Sequence, residues 1–327
     1  MSDIDEPVAM SLDVDPGNRT FDRLLACFGL IDDAAPMFGD ALAVPGAGVL
    51  FALPFLVHGG ILQVARKIYG EIGPAFYGLR TTLLTMLLMA LQRLKRPEWL
   101  KERDPAALGR ILGLDRAPEV KTLRRKLSRL AGYHLGERLG AELARRRVEQ
   151  RGNTMGFLYV DGHVRVYHGH RTISKAHVAR RNLCMPATTD YWVNGQAGDP
   201  LFVVTAEANA GLVRMLPEVC GEIRKLVGER RVTIVFDRGG WSPGLFHRMI
   251  QDNFDILTYR KGKSRRISEN CFLPWRAKMD GRWVSYRLHD KTVRFLKGKL
   301  RLRQVTRLTD DGHQTQVLTS RWDLRGI

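Results

Sequence analysis

The chain has 327 residues, 44% of them hydrophobic and 26% charged, which excludes a disordered or low-complexity protein and leaves room for two domains. Its 52 Lys and Arg against 34 Asp and Glu give a net charge of +18, so the partner to look for is a polyanion: nucleic acid first, an anionic membrane surface second. The four cysteines (Cys27, Cys184, Cys220, Cys271) form no C-x-x-C pair, which argues against a cysteine zinc site and fits free buried thiols in a reducing cytoplasm.

The charge is divided along the chain. Residues 1–50 hold nine acids and two bases, a net of −7, and the remainder carries +25. Residues 1–40 read as a loose acidic leader with turn signals such as Asp15-Pro16-Gly17, and Met1 to Asp22 lacks the apolar core of a signal peptide. Ala41 to Leu62 has no charged residue and the length of a membrane span. Pro45, Pro54, His58 and Gly59-Gly60 interrupt it, so it reads as helices buried within a helical region over 41–150, with no membrane partner. The competing reading is a membrane-associated protein built around residues 41–91.

Thr81 to Lys95 is dense in Leu, Met and Ala, and Pro97 stops it. Val120, Leu123, Leu127 and Leu130 fall on one face of a helix, with Lys121, Arg124, Arg125 and Arg129 on the other. That basic face reads either as a solvated surface or as a helix laid against phosphates.

From Phe157 the texture changes to strands: Phe157 to Val160, then His163 to His168, then Leu201 to Thr205. Leu212 to Val227 is helical in period, Val232 to Phe236 is a buried-type strand, Ser242-Pro243 opens a helix, and Phe254 to Tyr259 is a further strand. This order predicts an α/β (α+β) domain over 151–327, a mixed sheet with helices against it. Residues 260–320 alternate in period two, with turns at Asp280-Gly281 and Asp311-Gly312, and read as a β-rich insertion. It carries Lys261, Lys263, Arg265 and Arg266. Lys297, Lys299, Arg301 and Arg303, at spacing two, all face one way on a strand. Trp275, Trp283, Tyr286 and Phe295 are interleaved, a pattern suited to a phosphate backbone and its bases.

Asp161 closes the first apolar run and Asp237 closes Val-Ile-Val-Phe. On neighbouring strands their ends lie roughly 5 Å apart, and two carboxylates that close repel unless a divalent cation compensates. The alternatives are local: an Asp-Gly hairpin turn at Asp161, and a loop carboxylate bonding backbone amides at Asp237.

The segments Phe157 to Gly169, Thr188 to Asn194 and Val235 to Gly240 resemble the catalytic core of DDE-type insertion-sequence transposases. Leu112 to Lys126 resembles the helical region preceding that core in one branch. The resemblance implies an RNase H-like fold with a β-rich insertion, preceded by a helical N-terminal domain that binds DNA. It implies Asp161 and Asp237 as catalytic and metal-binding carboxylates, Mg²⁺ or Mn²⁺ as cofactor, and transposon-end and target DNA as substrate. It also implies at least a homodimer acting at the nucleoid, with Arg238 and the basic residues named above contacting nucleic acid. The family's third acid is a Glu on a helix after the insertion, but no Glu follows Glu269 here. The expectation is a chain truncated before that helix, keeping DNA affinity without a complete metal site. The other options are Glu269 as substitute, or a non-catalytic DNA-binding remnant or regulator. His163, His168, His170 and His177 are weighed as zinc ligands, but hydrogen bonds or phosphate contacts suit them better.

Overall fold

The computed structural model describes residues 11–40, 43–151, 156–178, 181–262, 265–279 and 281–324. The chain divides into two units, Met1–Leu143 and Ala144–Ile327.

The first unit is helical: α1 (Thr20–Cys27), α2 (Leu53–Gly59), α3 (Ile61–Tyr69), α4 (Leu79–Leu91), α5 (Pro105–Leu112) and α6 (Val120–Gly132), with the division falling inside α7 (Gly136–Arg151). Asp104 caps α5 by accepting from the amides of Ala106 and Ala107, and Pro105 fills its first turn. α4 buries Thr81, Thr82 and Thr85 because each hydroxyl finds an acceptor: Asp33 Oδ1, the Gly78 carbonyl and the Thr81 carbonyl.

Two expectations fail in this unit. Residues 11–40 are not a loose leader. Arg19 is 1% exposed; it ion-pairs with Asp22 and donates to the carbonyls of Gly113 and Ala35. Asp13 accepts from the Asp22 amide, and the Arg23 guanidinium lies 3.9 Å from the centre of the Phe76 ring. The acidic residues thus have internal partners that composition does not reveal. Nor is the apolar stretch after Ala41 buried: α2 buries no residue, and Phe51 and Phe55 are 87% and 78% exposed. Among the described residues no single helix is long and apolar enough to cross a membrane; the bent pair Ala47–Gly59 and Ile61–Tyr69, at 56°, has that length and composition.

The second unit is built on strands β1 (Phe157–Val166), β2 (Lys175–Val178), β3 (Leu183–Asn194), β4 (Pro200–Glu207), β5 (Val232–Phe236), β6 (Phe254–Tyr259), β7 (Leu273–Met279), β8 (Arg282–Phe295), β9 (Leu300–Leu308) and β10 (Gln314–Thr319). Helix α8 (Leu212–Val227) joins β4 to β5, and α9 (Pro243–Gln251) joins β5 to β6. β1 is antiparallel to β3, β3 to β4, while β5 runs parallel to both β1 and β6. Three antiparallel strands followed by two parallel ones, linked through helices, form an RNase H-like mixed sheet.

One face of that sheet carries Leu158, Val160, Ile234, Phe236 and Ile256, which pack with Leu216, Val219 and Ile223 of α8 and Phe246 of α9. On the other face Tyr159, Trp192 and Tyr259 are 40%, 38% and 47% exposed. Period-two alternation therefore puts apolar residues under the helices and leaves the opposite face accessible.

Sequence periodicity misreads this unit in two places. β1 does not end at Asp161; it runs through Asp161-Gly162 to Val166, paired with β3 throughout. β3 itself is missed, because Pro186 and the polar Thr188-Thr-Asp run mask its alternation. The β-rich insertion is present and continues the same sheet: β10 pairs with β6, so β10-β9-β8-β7 extend it. The thiols differ as well, with Cys220 buried and the other three exposed.

Candidate functional site

β1 and β5 pair in parallel register up to Val160 and Phe236. Asp161 follows Val160 within β1, and Asp237 follows Phe236, the last residue of β5, as the cap of a 3-10 turn, so each carboxylate comes one residue after the last paired position. Asp161 shares the accessible face with Tyr159 and is itself exposed, as is Asp237. Asp237 Oδ1 accepts the Gly239 amide at 2.8 Å, which orients the carboxylate. The Thr258 hydroxyl of β6 donates to the Asp237 carbonyl at 3.2 Å and fixes the chain at the strand end.

Gly162 follows from packing. A Cβ there would sit 2.8 Å from the ring of Tyr191, its cross-strand partner, which is 3% exposed and donates to the Ala210 carbonyl. The Asp-Gly pair is thus a strand segment under an aromatic ring, and the hairpin alternative fails. Burial, and then the nearby charge of Asp237, push the Tyr191 hydroxyl above its ordinary pKa. That field reaches the core side of the sheet.

The basic residues separate into groups. Arg238 begins the 3-10 turn after Asp237, and Lys261, Arg265 and Arg266 are exposed in the loop after β6; Lys263 lies outside the described residues. The four-cation stripe is not one strand face. Lys297 and Lys299 belong to the β8–β9 turn, where Lys297 has a φ of 53°, and only Arg301 and Arg303 lie on β9. Arg303 is tied to Asp290 at 2.6 Å and to the Leu324 carbonyl, whereas Arg301 is exposed directly opposite Arg294 of β8. Arg294 was not picked out from the sequence, since only pairing register brings it to Arg301. Two like charges so placed repel, a cost that a polyanion relieves. In the helical unit, Lys121, Arg124 and Arg125 are exposed on α6, with Arg124 paired to Glu98.

Glu269 does not join the carboxylates. It lies between β6 and β7 and pairs with Arg266 at 3.7 Å and Arg287 at 3.8 Å. The four histidines are exposed, and His177 bonds Asn182. Among the described residues no group of three or more His, Cys, Asp or Glu is placed to hold a metal ion.

No curated protein matches the chain. Among solved structures it is similar to a piggyBac transposase synaptic complex with hairpin DNA, at 13% identity and a TM-score of 0.44, covering 76% of this chain and 52% of that one. It is similar to the Mos1 mariner paired-end complex with Mn at 12% identity and a TM-score of 0.22, covering 36% and 39% of the two chains. The Argonaute of Marinitoga piezophila with a guide RNA gives 12% identity and a TM-score of 0.22, covering 54% and 25%. The chain therefore spans about half the length of the piggyBac chain it matches. A family model described as "Transposase protein" matches residues 16–324, and the chain belongs to that transposase family.

Proposed function

We propose that this chain binds DNA and that Asp161 and Asp237 form the carboxylate pair of a metal-dependent site for strand cleavage and transfer at transposon ends. The observation that carries this is the register: Asp161 and Asp237 each directly follow the last paired residues, Val160 and Phe236, of two parallel neighbouring strands. Membership of the transposase family supports the same reading. Mg²⁺ or Mn²⁺ bound there would polarise a phosphodiester and favour deprotonation of the attacking oxygen. The protein's part is to hold Asp161 within β1 and Asp237 directly after β5, with the Gly239 amide aligning Asp237. The cations of the β8–β9 hairpin, with Arg238 and the loop after β6, hold the DNA backbone. The family implies that such a chain works as at least a dimer.

A second reading is a non-catalytic DNA-binding protein derived from such an enzyme. It is favoured by the lack, among the described residues, of a third acid beside the pair. One experiment separates the two: incubating wild type, Asp161→Ala and Asp237→Ala with supercoiled DNA and Mn²⁺. Nicking by wild type that both variants lose by roughly 100-fold or more supports the catalytic reading. Salt-sensitive binding without nicking supports the second, and nicking by all three removes the pair from the chemistry.

A further inference from the structure

A cleft of about 380 Å³ is lined by Arg238, the residue after Asp237, with Arg260, Arg266 and His313, and Tyr259 as one wall. We propose that it is a binding site for one backbone phosphate of the nucleic-acid strand, positioning that strand against Asp161 and Asp237. The proposal rests on the DNA-binding reading above and adds a discrete site to it.

The cleft opens where β5 and β6 end. Arg238 directly follows Asp237, and Tyr259-Arg260 directly follow the Thr258 that bonds the Asp237 carbonyl. Its guanidinium groups are held mainly by neutral acceptors. Arg260 donates to Gln304 Oε1 and lies 5.9 Å from the centre of the Phe295 ring. Arg266 donates to the Gly312 carbonyl at 3.1 Å, with Glu269 farther off at 3.7 Å. Arg238 makes no ion pair among the described residues. Each guanidinium has five N–H donors in a planar fork matched to phosphate oxygens, so donors remain after these bonds.

Gly312, with a φ of 78°, keeps the floor open; a Cβ there would lie 3.3 Å from Arg266 Nη2. None of the described lining residues is acidic. Asp311, nearby in sequence, is occupied by the Thr309 hydroxyl and the His313 amide. Three cations in an open cleft, rather than a closed pocket, two of them held by the bonds above, suit a phosphate that remains part of a chain. The Tyr259 ring adds a surface for the attached sugar or base.

The test uses the full chain and a labelled DNA duplex of random sequence in EDTA, so that no divalent cation contributes. The variant Arg238→Gln/Arg266→Gln should lower the slope of log Kd against log salt by about 0.9, the amount for one phosphate. Arg238→Lys/Arg266→Lys should keep the slope, showing that misfolding is not the cause. Arg214→Gln/Lys225→Gln removes equal charge from exposed positions of α8 and should leave the slope unchanged. An unchanged slope in the glutamine cleft variant overturns the proposal, as does an equal loss in the α8 control. Inorganic phosphate abolishing the cleft's contribution at submillimolar concentration would make this a free-anion site and also overturn it. Because EDTA silences the carboxylates, an unchanged slope alongside intact Mn²⁺-dependent nicking defeats this inference alone. A wild-type chain that does not bind the duplex defeats both readings.

Discussion

Asp161 and Asp237 are 76 positions apart in sequence and one register step beyond Val160 and Phe236 on adjacent parallel strands. The separation is bridged by β2, β3, β4 and α8, which bring the chain back to lie beside its starting strand. Removing one charge while keeping the shape isolates the electrostatics of the pair. Asp161→Asn and Asp237→Asn are each expected to weaken Mn²⁺ binding at least tenfold, about 1.4 kcal/mol, with little change in fold. Isothermal titration with Mn²⁺ checks this, and wild-type affinity in both variants would dissociate the pair from metal binding.

The glycine after Asp161 has a packing role. Gly162→Ala places a Cβ 2.8 Å from the Tyr191 ring and should destabilise the second unit by about 1–3 kcal/mol. Tyr191→Leu alone loses the bond to the Ala210 carbonyl but vacates that space. Urea titration of both single variants and the double should therefore show non-additivity. Simple addition of the two losses would mean that the ring and the new methyl do not meet.

In the helical unit, Arg19→Met should cost about 3–5 kcal/mol, because it leaves Asp22 and two carbonyls buried without their donor. Denaturation monitored by far-ultraviolet circular dichroism reads this loss. A change under about 0.5 kcal/mol, typical of a surface site, would mean that residues 11–40 do not dock as described.

Burial pushes the Cys220 thiol up to about 12. A raised folded pKa gives stability that is complete below the unfolded value and lost as pH rises toward the folded one. From about pH 9 to 12 the unfolded chain releases a proton that the folded chain retains, so this group lowers stability by up to about 1.4 kcal/mol per pH unit. Cys220→Ser should remove that component, which paired denaturation curves at pH 8 and pH 10 would reveal. At pH 8 in native buffer a thiol reagent should modify Cys27, Cys184 and Cys271 but spare Cys220 until the chain unfolds.

Local sequence patterns determine much of the second unit. The apolar run Val232 to Phe236 with Asp237 at its end, the Ser242-Pro243 start of α9 and the α8 period are all readable, because each depends on residues within one turn or one strand. β3 and the unbroken course of β1 are not readable, because Gly162 and Tyr191 make sense only together and lie on different strands. The basic stripe fails for the same reason: spacing two says nothing about where a strand stops, and the turn at Leu296–Gly298 divides it. In the first unit, composition marks residues 11–40 as acidic but cannot show that Arg19 is buried against Asp22. The sequence by itself determined which residues carry charge and which runs are apolar. Only the tertiary structure decided that two of the carboxylates stand on neighbouring strands and that Arg238, Arg260 and Arg266 line one cleft, because pairing register and chain return are long-range choices set by the packing of the whole sheet.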